Sequence, residues 1–189
     1  MSLEELIAQA DERGLAASGV ACLDRCVPLL GGDDEALRPL WGTLAEGPDD
    51  GDWGEVLRQT REKLDAAAGE AGDGCAGEAA ELARGMLATA PLDRSGTALR
   101  QWADGCSDGA LRIHLLLDGA GDVDLDAARR EGCADGLSPL FAAELRRQTA
   151  VLELVAAHGA AGLRSALEVS TEGRRVLRAA VSRRSRRDA

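Results

Sequence analysis

The chain has 189 residues and a net charge of −11, enough length for one well-buried core and too little for two. Its apolar residues are mainly 35 Ala and 28 Leu, against nine Val, two Ile, one Phe and no Tyr. Ala and Leu lose little side-chain entropy in helices, whereas sheets draw on β-branched and aromatic residues, so the composition excludes a sheet protein.

The first helix start is Ser2 with Glu5, an S-x-x-E capping box ahead of Leu3, Leu6, Ile7 and Ala10. Ser18 reads as the cap of a second helix carrying Val20, Leu23, Val27 and Leu30, with Pro28 expected to kink or shorten it. Leu37, Leu40, Trp41 and Leu44 follow at i, i+3, i+4, i+7, interrupted by Pro39. The segment from Gly47 to Glu55 reads as a loop, with Asp52 and Glu55 as a second box before Trp53, Val56, Leu57 and Leu64. Residues 69–77, rich in glycine and without a large apolar side chain, read as a linker. Leu82, Met86 and Leu87 resume the helical period up to Pro91.

Asp93 then reads as the cap of a long helix through Leu99, Trp102, Cys106, Ile113 and Leu117, with a break near Gly105 as the alternative. A loop from Asp118 to Asp124 precedes a short helix from about Leu125 to Gly136. Ser138 and Pro139 open a strong helix ending at His158, with Gly159 just beyond it. Leu163 and Leu167 begin the last helical stretch. Short connections of this kind set neighbours antiparallel. The expected fold is an all-α, single-domain bundle of about eight or nine helices. Gly-Cys pairs at 74, 105 and 132 recur at a spacing near 30 residues, but their flanking patterns differ, which argues against a helical repeat.

No run of about 18 apolar residues is present, so no membrane span is expected. The N-terminal stretch carries acids where a secretory signal carries bases, and the five cysteines are then expected reduced, in the cytoplasm. The single Lys63 against 21 Arg, with the excess of Ala and Gly, has the look of GC-rich coding bias. Such a bias accounts for part of the arginine excess and weakens any argument that arginine stands here for its planar fork.

Candidate chemistry is sparse. Cys22 and Cys26 share a helical face but have no further pair to complete a metal site, and buried packing accounts for them. His114 has Asp118 at i+4, the spacing of a carboxylate that could set an imidazole tautomer for general-base work. No G-x-S-x-G elbow or H-E-x-x-H accompanies it. The aspartates at 118, 122, 124 and 126 miss the glycine and glutamate of a calcium loop. No phosphate-binding glycine loop occurs, and no cofactor is expected.

Charge is unevenly placed. Residues 1–173 hold 15 bases and 32 acids, a charge of −17; residues 174–189 hold seven arginines and Asp188, a charge of +6. Val176, Leu177, Ala180 and Val181 keep helical spacing, so a basic C-terminal helix is expected to Val181 with a frayed end beyond it. Its arginines could answer the acidic body, contact a partner or a second copy, or grip phosphates. The last is disfavoured by the charge of the body and by the lack of interleaved aromatics. Partner contact would fall to Arg183, Arg184, Arg186 and Arg187. A membrane role lacks large apolar anchors.

The functional expectation is a non-catalytic protein acting through protein–protein contacts, as adaptor or regulator. The alternative is a small-molecule-binding or enzymatic protein with a pocket near His114, Asp118, Cys22 and Cys26. The third is nucleic-acid binding through the arginine tail.

Overall fold

Alternation of caps and apolar stripes produces an all-α bundle. The computed structural model describes residues 1–46, 52–67, 74–119, 123–131 and 136–188. Within them lie α1 (Leu3–Gln9), α2 (Glu12–Leu30), α3 (Arg38–Ala45), α4 (Trp53–Ala67), α5 (Cys75–Ala88), α6 (Gly96–Asp118), α7 (Leu125–Glu131), α8 (Pro139–His158) and α9 (Leu163–Asp188). A four-residue 3-10 turn, Gly159–Gly162, joins the last two. One contiguous core gathers side chains from helices along the whole chain, with α2 at its centre against α5, α6, α8 and α9.

Several starts follow the sequence. Ser2 and Glu5 form the reciprocal capping box of α1. Pro139 opens α8 behind Ser138, and Gly159 closes it. Pro39 lies in the first turn of α3, where its missing N–H costs nothing. Pro28 neither breaks α2 nor starts a new element. The helix runs on to Leu30 and stops at Gly31, whose φ of 73° is left-handed.

Other starts are corrected. Ser18 is buried seven residues inside α2, and the cap is Asp11, whose Oδ1 accepts from the Gly14 N–H at 2.7 Å. The small residues around Ser18 serve close packing instead. A Cβ at Gly19 would stand 2.4 Å from the Trp102 ring, so α2 and α6 can meet there only without one. Asp93 does not cap α6 either; Ser95 precedes the helix. The chain before it is drawn inward by buried Arg94, which donates to the Thr43 carbonyl at 2.8 Å, and by the Trp53 indole N–H on the Pro91 carbonyl at 2.8 Å.

α6 is continuous through Gly105 and Gly109, as the single-helix reading expects, and the alternative break near Gly105 is absent. Gly109 faces Met86 of α5, where a Cβ would approach Sδ to 2.9 Å. Trp102 donates to the Met86 carbonyl at 2.9 Å and meets Trp53 edge-on, the ring centroids 6.0 Å apart. α5 begins at Cys75, inside the expected linker; residues 69–73 of that linker lie outside the described residues. Cys75 starts a helix and Cys106 sits mid-helix, so the Gly-Cys pairs mark no repeated unit. Cys133 and Asp122 lie outside the described residues.

By length and composition, one helical stretch within residues 139–187 is apolar enough to cross a bilayer, a property that the core helix of a globular bundle shares. In the fold this stretch is α8, the 3-10 turn and α9, with α9 folding back along α8. α8 buries Leu140, Phe141, Leu145, Val151, Leu152 and Val155 against other helices. α9 is one helix from Leu163 to Asp188, so the expected frayed segment after Val181 is helical as well. Leu177 and Ala180 anchor it in the core.

Candidate functional site

The centre of the bundle is polar. Arg25 of α2, His114 of α6 and Glu144 of α8 are all fully buried. Each arises from a helix whose surrounding stripe is apolar: Cys22, Cys26 and Leu29 flank Arg25, while Phe141, Leu145 and Leu152 flank Glu144. The stripe drives all of these positions inward together, and the polar groups must then satisfy one another.

They do so in a connected set. The Arg25 guanidinium forks onto Glu144, with Nε donating to Oε2 at 2.8 Å and Nη2 to Oε1 at 2.7 Å. Arg25 Nη2 also reaches Cys22 Sγ at 3.3 Å, and Nη1 reaches the Ser170 hydroxyl of α9 at 3.5 Å. Gln148, one turn beyond Glu144, donates to its Oε1 at 3.0 Å and accepts from the Ser107 hydroxyl at 2.6 Å. Gly173 makes the space for this: a Cβ there would lie 2.4 Å from Arg25 Cδ. A second buried pair stands nearby, Arg174 Nη1 on Asp24 Oδ1 at 2.7 Å.

The sequence pairing of His114 with Asp118 is corrected. His114 Nδ1 lies 2.7 Å from the Ala110 carbonyl, which can only accept, so the proton is on Nδ1. Nε2 faces Glu144 Oε2 at 3.5 Å and makes no hydrogen bond. Asp118 sits at the end of α6 in a surface groove.

Burial dominates the ionisation of this interior. It lowers the His114 pKa, with Glu144 opposing, so the imidazole is kept neutral. It also works to raise the Glu144 carboxyl, but the charge of Arg25 and the bonds from Arg25 and Gln148 overcome it and leave the group below its ordinary range. The Cys22 thiol is pushed up to about 12 by burial, against the pull of Arg25. Cys26 rises well above the ordinary thiol value for the same reason. Asp24 is raised by burial to about 6 despite Arg174 and Arg25.

The structure therefore gathers His114, Cys22 and Cys26 around one carboxylate, but with every side chain sealed from solvent and both thiols protonated. Thiolate is the reactive form of cysteine, and it is strongly disfavoured here. Among the described residues no group of three or more His, Cys, Asp or Glu could hold a metal ion.

Sequence reasoning missed Arg25, Glu144 and Gln148. A signal was present in each case: a charged or amide side chain on the apolar face of an otherwise amphipathic helix.

The arginines of α9 divide by position. Arg174 and Arg178 turn to the acidic body: Arg174 binds Asp24, and Arg178 binds Asp34. Arg183, Arg184 and Arg187 instead border a groove of about 420 Å³ between the end of α6, the start of α8 and α9. Its lining includes Leu117, Leu140, Ala143, Val176 and Ala180, and Asp118 is the one carboxylate among its described lining residues. Arg184 also donates to Cys75 Sγ at 3.1 Å and borders a second groove of about 400 Å³ toward α5. Arg186 bonds the Ser182 hydroxyl and does not line either groove. Comparison with family models, with curated proteins and with solved structures found no match.

Proposed function

We propose that the protein is a non-enzymatic docking protein, an adaptor or regulator, that engages another protein through the C-terminal half of α9. The observation that carries this reading is the division of the α9 arginines. Arg174 and Arg178 are taken up by the body, whereas Arg183 and Arg187 are exposed on a formed helix beside an apolar-floored groove. Docking surfaces commonly combine an apolar centre with a charged rim enriched in arginine.

Sealing of His114, Cys22 and Cys26 weighs against the enzymatic alternative, since a substrate has no route to them without opening the core. The net charge of −11 weighs against a polyanionic nucleic acid. The reading places the protein in the cytoplasm, supported by four free cysteines, Cys22, Cys26, Cys75 and Cys106.

A photo-crosslinking amino acid at position 183, compared with one at exposed Glu62 on α4, tests the reading in the producing cells. The expected outcome is a discrete protein adduct from position 183 that is missing from position 62 and lost when Arg187 becomes Glu. Adducts equal at the two positions, or adducts to nucleic acid, would overturn it.

A further inference from the structure

We infer that the groove between α6, α8 and α9 receives an acidic amphipathic helix of the partner protein; this rests on the docking reading above.

The first argument is charge. Two exposed guanidiniums, from Arg183 and Arg187, border the groove, and Asp118 is the one carboxylate among its described lining residues. Arg183 and Arg187 are four residues apart on a continuous helix, so they project from one face about 6 Å apart along the axis. Carboxylates spaced by one turn on a partner helix match that interval. Arginine also forms bidentate bonds to carboxylates.

The second argument is the floor. Leu140 is nearly buried and Val176 half-buried, so the groove offers an apolar strip beneath the charged rim. A polyanion without apolar side chains leaves that strip wet. A helix with leucines at i, i+3, i+4 and i+7 fills it while presenting acids to the rim.

The third argument is the backbone. The groove is walled by α8, α9 and the end of α6, and no strand edge is present among the described residues. An extended segment laid there would find no sheet edge and would bury unpaired backbone groups. A helix brings its own backbone bonds with it.

The test uses the full chain and a fluorescein-labelled synthetic peptide of about five turns, with leucines on one face and glutamates on its flanks. The same peptide with lysine for glutamate is the comparator, and binding is read by fluorescence anisotropy. The expected result is at least tenfold tighter binding of the acidic peptide, with a gain in peptide helicity by circular dichroism. Arg183→Glu with Arg187→Glu is expected to lose at least tenfold for the acidic peptide and to favour the lysine peptide. Both positions are exposed, and an unchanged melting curve will show that the variant is folded.

Equal binding of the two peptides, or acidic-peptide binding indifferent to the double variant, would overturn the inference. So would tighter binding of duplex DNA or of phosphatidylserine vesicles than of the acidic peptide. If the position-183 adduct persists while the acidic peptide fails, the docking reading stands and the helical acidic occupant falls.

Discussion

Glu144 is the residue on which the interior depends. Fully buried, it accepts the Arg25 fork and the Gln148 amide, and removing one partner of such a pair leaves the other charge buried and uncompensated. Glu144→Ala is expected to destabilise the fold by about 3–5 kcal/mol. Arg25→Met combined with Glu144→Leu is expected to cost much less than the single change, because no charge is stranded. Urea unfolding monitored by circular dichroism separates the two, and equal costs would show that the pair is not the determinant. The sequence displayed the cysteines beside Arg25 but hid the pair itself. Arg25 and Glu144 are 119 residues apart, and a one-dimensional pattern marks them only as misplaced charges on apolar faces. His114 was legible as an unusual residue, but its neighbour was misread. The i+4 rule supplied Asp118, whereas a helix from a distant part of the chain supplies Glu144.

Among the elements, α9 departs most from what its sequence predicts. The apolar period fails after Val181, which read as fraying, yet the helix continues to Asp188. Ser185 bonds back to the Val181 carbonyl, Arg186 bonds Ser182, and Arg184 reaches across to Cys75. Contacts of that kind hold the final turns without a core stripe, and periodicity cannot register them. Deleting residues 182–189 is expected to lower stability by no more than about 1 kcal/mol, since Leu177, Ala180 and the Arg174–Asp24 pair remain. The deletion removes all three rim arginines, so binding of the acidic peptide should vanish while the melting temperature barely moves. A large loss of stability would place the tail in the architecture instead. Helix starts were legible at Ser2, where a capping box forms, and at Pro139, where proline takes the first helical position. They were misread at Ser18, where the cap is the earlier Asp11 and the small residues serve the α2–α6 approach, and at Asp93, where Ser95 precedes the helix and Arg94 is drawn inward.

At the scale of the whole molecule, opposing ionisations shape the response to acid. His114 is lowered below 6.5 by burial, so its contribution to stability is present above that value and is lost as pH falls through the folded pKa. Glu144, lowered below 4.5, behaves likewise at lower pH. Asp24 acts in the other sense. Raised from 3.8 to about 6, it favours the fold most below 3.8, and that contribution is lost as pH rises through about 6. Between pH 7 and 5 the first and last effects oppose each other. His114→Gln removes the destabilising one, so on acidification the variant should lose less stability than the parent, or gain it. Urea midpoints across that range provide the measurement, and parallel curves would show that His114 does not titrate in the window.

The edge contact between Trp53 and Trp102 has an optical consequence. The chain has no tyrosine, so its near-ultraviolet absorption and emission belong almost wholly to Trp41, Trp53 and Trp102, all three buried. With two indoles 6.0 Å apart, their excited states couple, and light absorbed by one is shared with the other. That pairing spans α4 and α6, whose helices are separated in sequence by the whole of α5. The spectrum thus carries a built-in ruler: loss of the coupled signal marks the moment those two helices part, with no label attached.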